Sequence, residues 1–145
     1  MENQFKEFLI ESEQSDIKNT LKKIPAIHAK LVKDYDISLE GGSTLKKSDQ
    51  HVGEIDEKKK KITVVGGWHY GKEVILLHEI GHSVWKYLVS QDQKKKWSKL
   101  IKDNKIKNKQ ENDEELFCMT YAAAYAKHPP KTYHNEILIK FIKNI

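Results

Sequence analysis

The run His78-Glu79-Ile80-Gly81-His82 holds the residues of this chain whose types and spacing are suited to chemistry. On a helix, side chains four apart sit one above the other, so His78 and His82 can each turn a ring nitrogen toward one metal ion. Glu79 follows His78 by about a quarter turn. That places its carboxylate beside the coordination position a catalytic zinc leaves to water, where it can act as general base.

A helix is required to hold that geometry, and the flanking residues predict one. Val74, Leu77, Ile80, Val84 and Leu88, within Gly71 to Ser90, recur at helical spacing and form one apolar stripe, with His78 and His82 at its edge. Gly81 in mid-helix costs about 1 kcal/mol relative to Ala, which predicts close approach of another backbone to the metal face.

A catalytic zinc takes three protein ligands, so one more is needed. The continuation Val84-Trp85-Lys86-Tyr87-Leu88 lacks the Gly and His of the extended metzincin motif. The next acidic cluster, Glu111-Asn112-Asp113-Glu114-Glu115, opens a predicted helix over 112–127. Glu115 is the favoured ligand, because it shares a face with Met119 and Ala122; Glu114 stands in reserve. A helix cap competes with both, since Asn112 followed three residues later by Glu115 has capping-box spacing and acids suit a helix N-terminus. A His third ligand, from His128 or His134, is a further alternative.

The remaining elements read as follows. Phe5, Phe8 and Leu9, then Ile17, Leu21, Ile24, Ile27, Leu31 and Val32, predict two N-terminal helices, with Pro25 splitting the second pattern. Ile37 to Leu39 is a short extended piece ending at Gly41-Gly42. His51 to Ile55 and Ile62 to Val65 flank a polar turn and predict a hairpin that runs into Gly66-Gly67. Helices are predicted over about 92–104 and 132–144, with Pro129-Pro130 ahead of the last. Helices and a small sheet, then the motif helix and a helical C-terminal half, make an α+β single domain over 1–145. The strand Ile62 to Val65 is expected to present a free edge beside the motif helix, on which a substrate chain adds as a further strand; an ordinary core strand is the competing reading.

Composition narrows the partners. The formal net charge is +5, yet all 26 basic residues are Lys and none is Arg. Arg provides most bidentate base and phosphate contacts, so no specific nucleic-acid partner is expected. The Lys runs 58–61 and 94–96 read as a turn and a solvated helix face. Cys118 is alone and reads as a small buried helix residue. No apolar run reaches membrane-spanning length, and the acidic N-terminus lacks the pattern of a signal peptide. Cytoplasmic synthesis is expected, with leaderless export or packaging in a particle still open. Abundant Lys, Ile and Asn without Arg fits the AT-rich coding of many bacteria and phages.

Three stretches carry a family resemblance: LLHEIGHSVWKYL at 76–88, NDEELFCMTYAAAY at 112–125 and PPKTYHNEILIKFI at 129–142. In their order and spacing the chain resembles the gluzincin family of the anthrax lethal factor catalytic domain and the Pro-Pro endopeptidases. The resemblance implies a zincin-like metallopeptidase fold, Zn2+ held by His78, His82 and Glu115, and Glu79 as the general base. Two positions depart from that family. A tyrosine that would donate to the oxyanion several residues before the Glu ligand is missing from Lys105 to Gln110. The acid expected one turn after the ligand, a partner for a ligand His, is Met119. Tyr121, Tyr125, Tyr133, His128, His134 and the run Trp68-His69-Tyr70 are the candidate substitutes.

The expected function is a zinc endopeptidase acting on a protein or peptide substrate through a zinc-bound water activated by Glu79. The alternative is a metallopeptidase-fold protein that cleaves little or nothing and serves as a binding or structural component, for example of a phage particle or mobile element.

Overall fold

A computed structural model describes residues 2–40, 53–65, 71–107 and 112–145. Its element order is α1 (Glu2–Lys23), α2 (Ala26–Leu31), β1 (Asp36–Glu40), β2 (Gly53–Asp56), β3 (Lys61–Val65), α3 (Lys72–Tyr87), α4 (Gln91–Asp103), α5 (Asp113–Tyr125) and α6 (Glu136–Lys143), with a 3-10 turn at Lys131–Tyr133 before α6. The class is α+β, with a three-stranded sheet and mostly helical content, as the periodicities predict. The chain divides into two compact units, Met1–Leu76 and Leu77–Ile145, with the boundary inside α3.

In the first unit, Pro25 stands as N-cap of α2 and separates it from α1. A proline here costs nothing at a helix start and would break a continuous helix. Glu13 accepts a hydrogen bond from the backbone N–H of Leu39 at 2.6 Å, tying α1 to β1. Lys23 pairs with Glu73 at the start of α3. The hairpin forms through a turn over Glu57 to Lys60, with Lys60 in the left-handed region at φ 49°.

The expected free edge on Ile62 to Val65 is corrected by the sheet order, which is β1-β3-β2. β3 pairs antiparallel with β2 and parallel with β1, Ile37 opposite Ile62 and Leu39 opposite Val64. Both rows of backbone groups on β3 are occupied, and Ile62 and Val64 are fully buried. The strand at Ile37 to Leu39 was legible, but its partner was not, because a five-residue strand with one buried face looks alike at the edge and in the centre. The edges belong to β1 and β2. Gly41-Gly42, His51, Val52, Gly66-Gly67, Trp68-His69-Tyr70 and Glu111 lie outside the described residues.

The second unit is built around α5. Its residues Leu116 to Ala123 are all buried, which marks a helix surrounded by others rather than lying on a surface. Phe117 meets Trp85 of α3 at 5.1 Å between ring centroids and Trp97 of α4 at 5.4 Å. Trp97 in turn meets Phe141 of α6 at 5.3 Å. Rings at these tilted separations each add about 0.5–1.5 kcal/mol beyond the area they bury. α4 starts at a capping box between Ser90 and Gln93, and α6 at Asn135, whose side chain accepts from the N–H of Leu138. Lys131–Tyr133 and Asn135 shorten the predicted last helix, since the 3-10 turn and a good N-cap give the chain a separate stop and start.

Candidate metal centre

His78 and His82 emerge from α3 on one face, with ring centroids 5.0 Å apart and planes at 78°. Val74, Leu77, Ile80 and Val84 are buried, and the two imidazoles are half-buried at the stripe's edge, as their spacing predicts. Glu79 is buried on the same helix.

The beginning of α5 faces these histidines. Asn112 caps the helix by accepting from the N–H of Glu115 at 2.8 Å. α4 fixes the same turn: the Trp97 indole N–H donates to the Asp113 carbonyl at 3.1 Å, and the Ser98 hydroxyl donates to the Asp113 carboxylate. With Asp113 so held, the next two carboxylates meet the imidazoles. Glu115 Oε2 lies 3.0 Å from His78 Nε2, and Glu115 Oε1 lies 3.2 Å from His82 Nε2. Glu114 Oε2 lies 2.6 Å from His82 Nδ1. The capping and ligand readings of this acidic run are thus compatible, because the cap uses Asn112 with the Glu115 backbone and leaves the Glu115 carboxylate for the histidines.

Two consequences follow from these distances. Donors held about 2.0–2.1 Å from a tetrahedral zinc lie about 3.3 Å from one another, close to the Nε2-to-oxygen separations here. Proton counting points the same way. The fourth ring nitrogen, His78 Nδ1, meets the Met119 sulfur at 3.1 Å, so every nitrogen of the pair faces an acceptor. A neutral imidazole carries one N–H, leaving two of the four contacts without a hydrogen unless a cation, a proton or a metal ion, takes its place. Two imidazoles and a carboxylate are donor types that zinc accepts, and a second proton on each ring would answer the same count.

The Glu115 carboxyl is held below the ordinary glutamate range, first by its hydrogen bond with His78, against the opposing effect of burial, and then by the charges of His78 and His82. An ionised carboxylate is the form that binds metal.

A competing third donor is Cys118. His78, His82 and Cys118 each offer one ligand atom within 4.8 Å of the others, and the sulfur is fully buried. Burial, followed by the charges of Glu115, Glu114 and Glu79, pushes the thiol well above its ordinary value. Glu115 is not part of that group, and it meets the two Nε2 atoms through different oxygens, Oε2 to His78 and Oε1 to His82. Cys118 was read only as packing, yet it follows Glu115 by three residues and so shares its face, a spacing that could have flagged it.

His128 and His134 are exposed, and no contact joins them to His78 or His82 among the described residues, as contacts join Glu114 and Glu115. Tyr121 is fully buried, and burial raises its hydroxyl far above the usual range, so it stays protonated. Met119 stands beside His78, the place where the resembled family would put an acid. Trp97 and Ser98, which anchor Asp113, were not singled out in the sequence.

Comparison with protein-family models, with curated proteins and with solved structures returns no match. No helix among the described residues is long and apolar enough to cross a membrane.

Proposed function

We propose that this chain is a zinc-dependent endopeptidase with a zincin-like site, acting on a protein or peptide substrate. The observation that carries the reading is the single Glu115 carboxylate set against both His78 Nε2 and His82 Nε2, at 3.0 and 3.2 Å, with every imidazole nitrogen facing an acceptor. His78, His82 and Glu115 would hold the ion. Bound zinc would supply Lewis acidity toward the scissile carbonyl and the attacking water. Glu79, one residue along α3 from His78, would take the proton of that water and return it to the departing amine. The imidazoles, 17% and 21% exposed, and Glu115, 33% exposed, are partly accessible from solvent, which the reading requires.

A second reading has its own observation. Met119 gives His78 a thioether where an acid would strengthen the ligand, which favours a weakly metallated or inactive protein that works through its surface. The two readings separate in one experiment. Zinc is counted by atomic emission, and cleavage of a peptide library is followed, for wild type, Glu115→Ala and Glu79→Gln. One zinc per chain, kept in Glu79→Gln and lost in Glu115→Ala, with cleavage by wild type alone, supports the peptidase. Zinc without cleavage favours the binding protein, and no zinc uptake at neutral pH removes the metal reading.

A further inference from the structure

We infer that Glu114 is a positioning residue, which grips His82 through Nδ1 and so aims its Nε2 at the metal position, while His78 is left as the loosely held arm. The inference rests on the metal reading above and assigns the histidine pair unequal roles.

Neighbouring residues on a helix project about 100° apart, so two consecutive carboxylates ordinarily diverge. Here Glu114 and Glu115 converge on opposite nitrogens of one ring: Glu114 Oε2 is 2.6 Å from His82 Nδ1, and Glu115 Oε1 is 3.2 Å from His82 Nε2. Two other tasks for Glu114 are already filled. Asn112 provides the cap, Asp113 sits in the same N-terminal turn, and Glu115 faces both Nε2 atoms, so Glu114 is needed neither as cap nor as third ligand. A carboxylate accepting from Nδ1–H fixes the tautomer in which Nε2 carries the lone pair and makes that nitrogen a stronger donor to a metal. Among the described residues, the partner at His78 Nδ1 is the Met119 sulfur, 3.1 Å away. A thioether is a weak acceptor and neither fixes a tautomer nor adds charge to the ring.

Zinc affinity, measured by competition with a chromophoric chelator, tests this with a readout independent of cleavage. Removal of a group that orients a metal-bound histidine costs about 10- to 100-fold in affinity. Because the Glu114 side chain is 42% exposed, water partly replaces it, and Glu114→Ala is expected at the lower end, near 10-fold. Glu114→Gln keeps an oxygen acceptor and should recover most of the loss, and Met119→Leu should change affinity by less than about twofold. The absorption bands of the cobalt-substituted protein should keep their position in Glu114→Ala, as the ligand set is unchanged. Alongside, 15N spectra of the metal-free protein at alkaline pH, where free imidazole is neutral, should show the proton of His82 on Nδ1 in wild type and a shift toward Nε2, where Glu115 accepts, in Glu114→Ala.

Wild-type affinity in Glu114→Ala overturns the inference. So does complete zinc loss with shifted cobalt bands, which would make Glu114 a ligand, and so does equal damage from Gln and Ala. If wild type takes up no zinc, the metal reading fails by itself, and the tautomer spectra still decide whether Glu114 fixes His82.

Discussion

Gly81 of α3 lies against the backbone of Cys118 on α5: a Cβ at Gly81 would come 3.1 Å from Cys118 Cα and 3.4 Å from its Cβ and Sγ. The absent side chain is what lets the helix carrying the two histidines approach the one carrying Glu114 and Glu115. In an ordinary helix Gly81→Ala would gain about 1 kcal/mol from propensity. Here the obstructing atom is main chain in the buried stretch of α5, and crowding of this kind costs about 1–3 kcal/mol. Gly81→Ala is expected to lower the urea midpoint and to weaken zinc binding together. An unchanged or higher midpoint would show that α5 yields without cost.

Cys118→Ala separates the two candidates for third donor. The substitution removes one buried sulfur and is expected to cost about 1 kcal/mol or somewhat more. Zinc stoichiometry should stay at the wild-type value, whereas Glu115→Ala should lose the metal. Atomic emission on both variants gives the answer, and retention by Glu115→Ala with loss by Cys118→Ala would assign the third position to sulfur.

Acid should destabilise the metal-free protein partly through Glu115. Its folded-state proton affinity is depressed, chiefly by the hydrogen bond with His78, so between the folded and unfolded values the unfolded chain binds more protons. The stabilisation is therefore complete above the ordinary glutamate range and disappears as pH falls through the depressed value. Urea midpoints measured with a chelator present, from neutral to acid pH, should decline less steeply in Glu115→Gln. Parallel curves for the two proteins would mean that the carboxylate contributes nothing to the folded state.

What could be read in the sequence and what could not divides by range. The α3 stripe of Val74, Leu77, Ile80 and Val84, the edge placement of His78 and His82, and the cap at Asn112 all follow from spacing within one helix, whereas spacing favoured Glu115 by its helix face alone and left Glu114, a cap and a His ligand open. The close approach at Gly81 was legible too, although its partner Cys118 was not. The central position of β3 depends on a parallel partner more than twenty residues away, which no local pattern encodes. The hold of Trp97 and Ser98 on Asp113 depends likewise on how two helices meet. Glu114 looked like a reserve ligand, because backbone periodicity does not reveal which ring nitrogen a neighbouring carboxylate will reach.

Met119→Glu should change sign with metal. Met119 is 8% exposed and its sulfur lies 3.1 Å from His78 Nδ1, so a carboxylate placed there enters a nearly closed environment beside one hydrogen-bond donor. Without zinc, Glu114 and Glu115 already crowd the same turn with negative charge, and the new buried carboxylate should lower stability by about 1–3 kcal/mol. With zinc, the added acid would accept from His78 Nδ1–H as Glu114 does from His82, and affinity should rise about 10-fold. The check is a pair of thermal melts for each protein, with chelator and with excess zinc, beside the chelator competition. A variant that is destabilised alike in both conditions, with no gain in affinity, would mean that the acid does not reach His78 and that the softness of this arm has another cause.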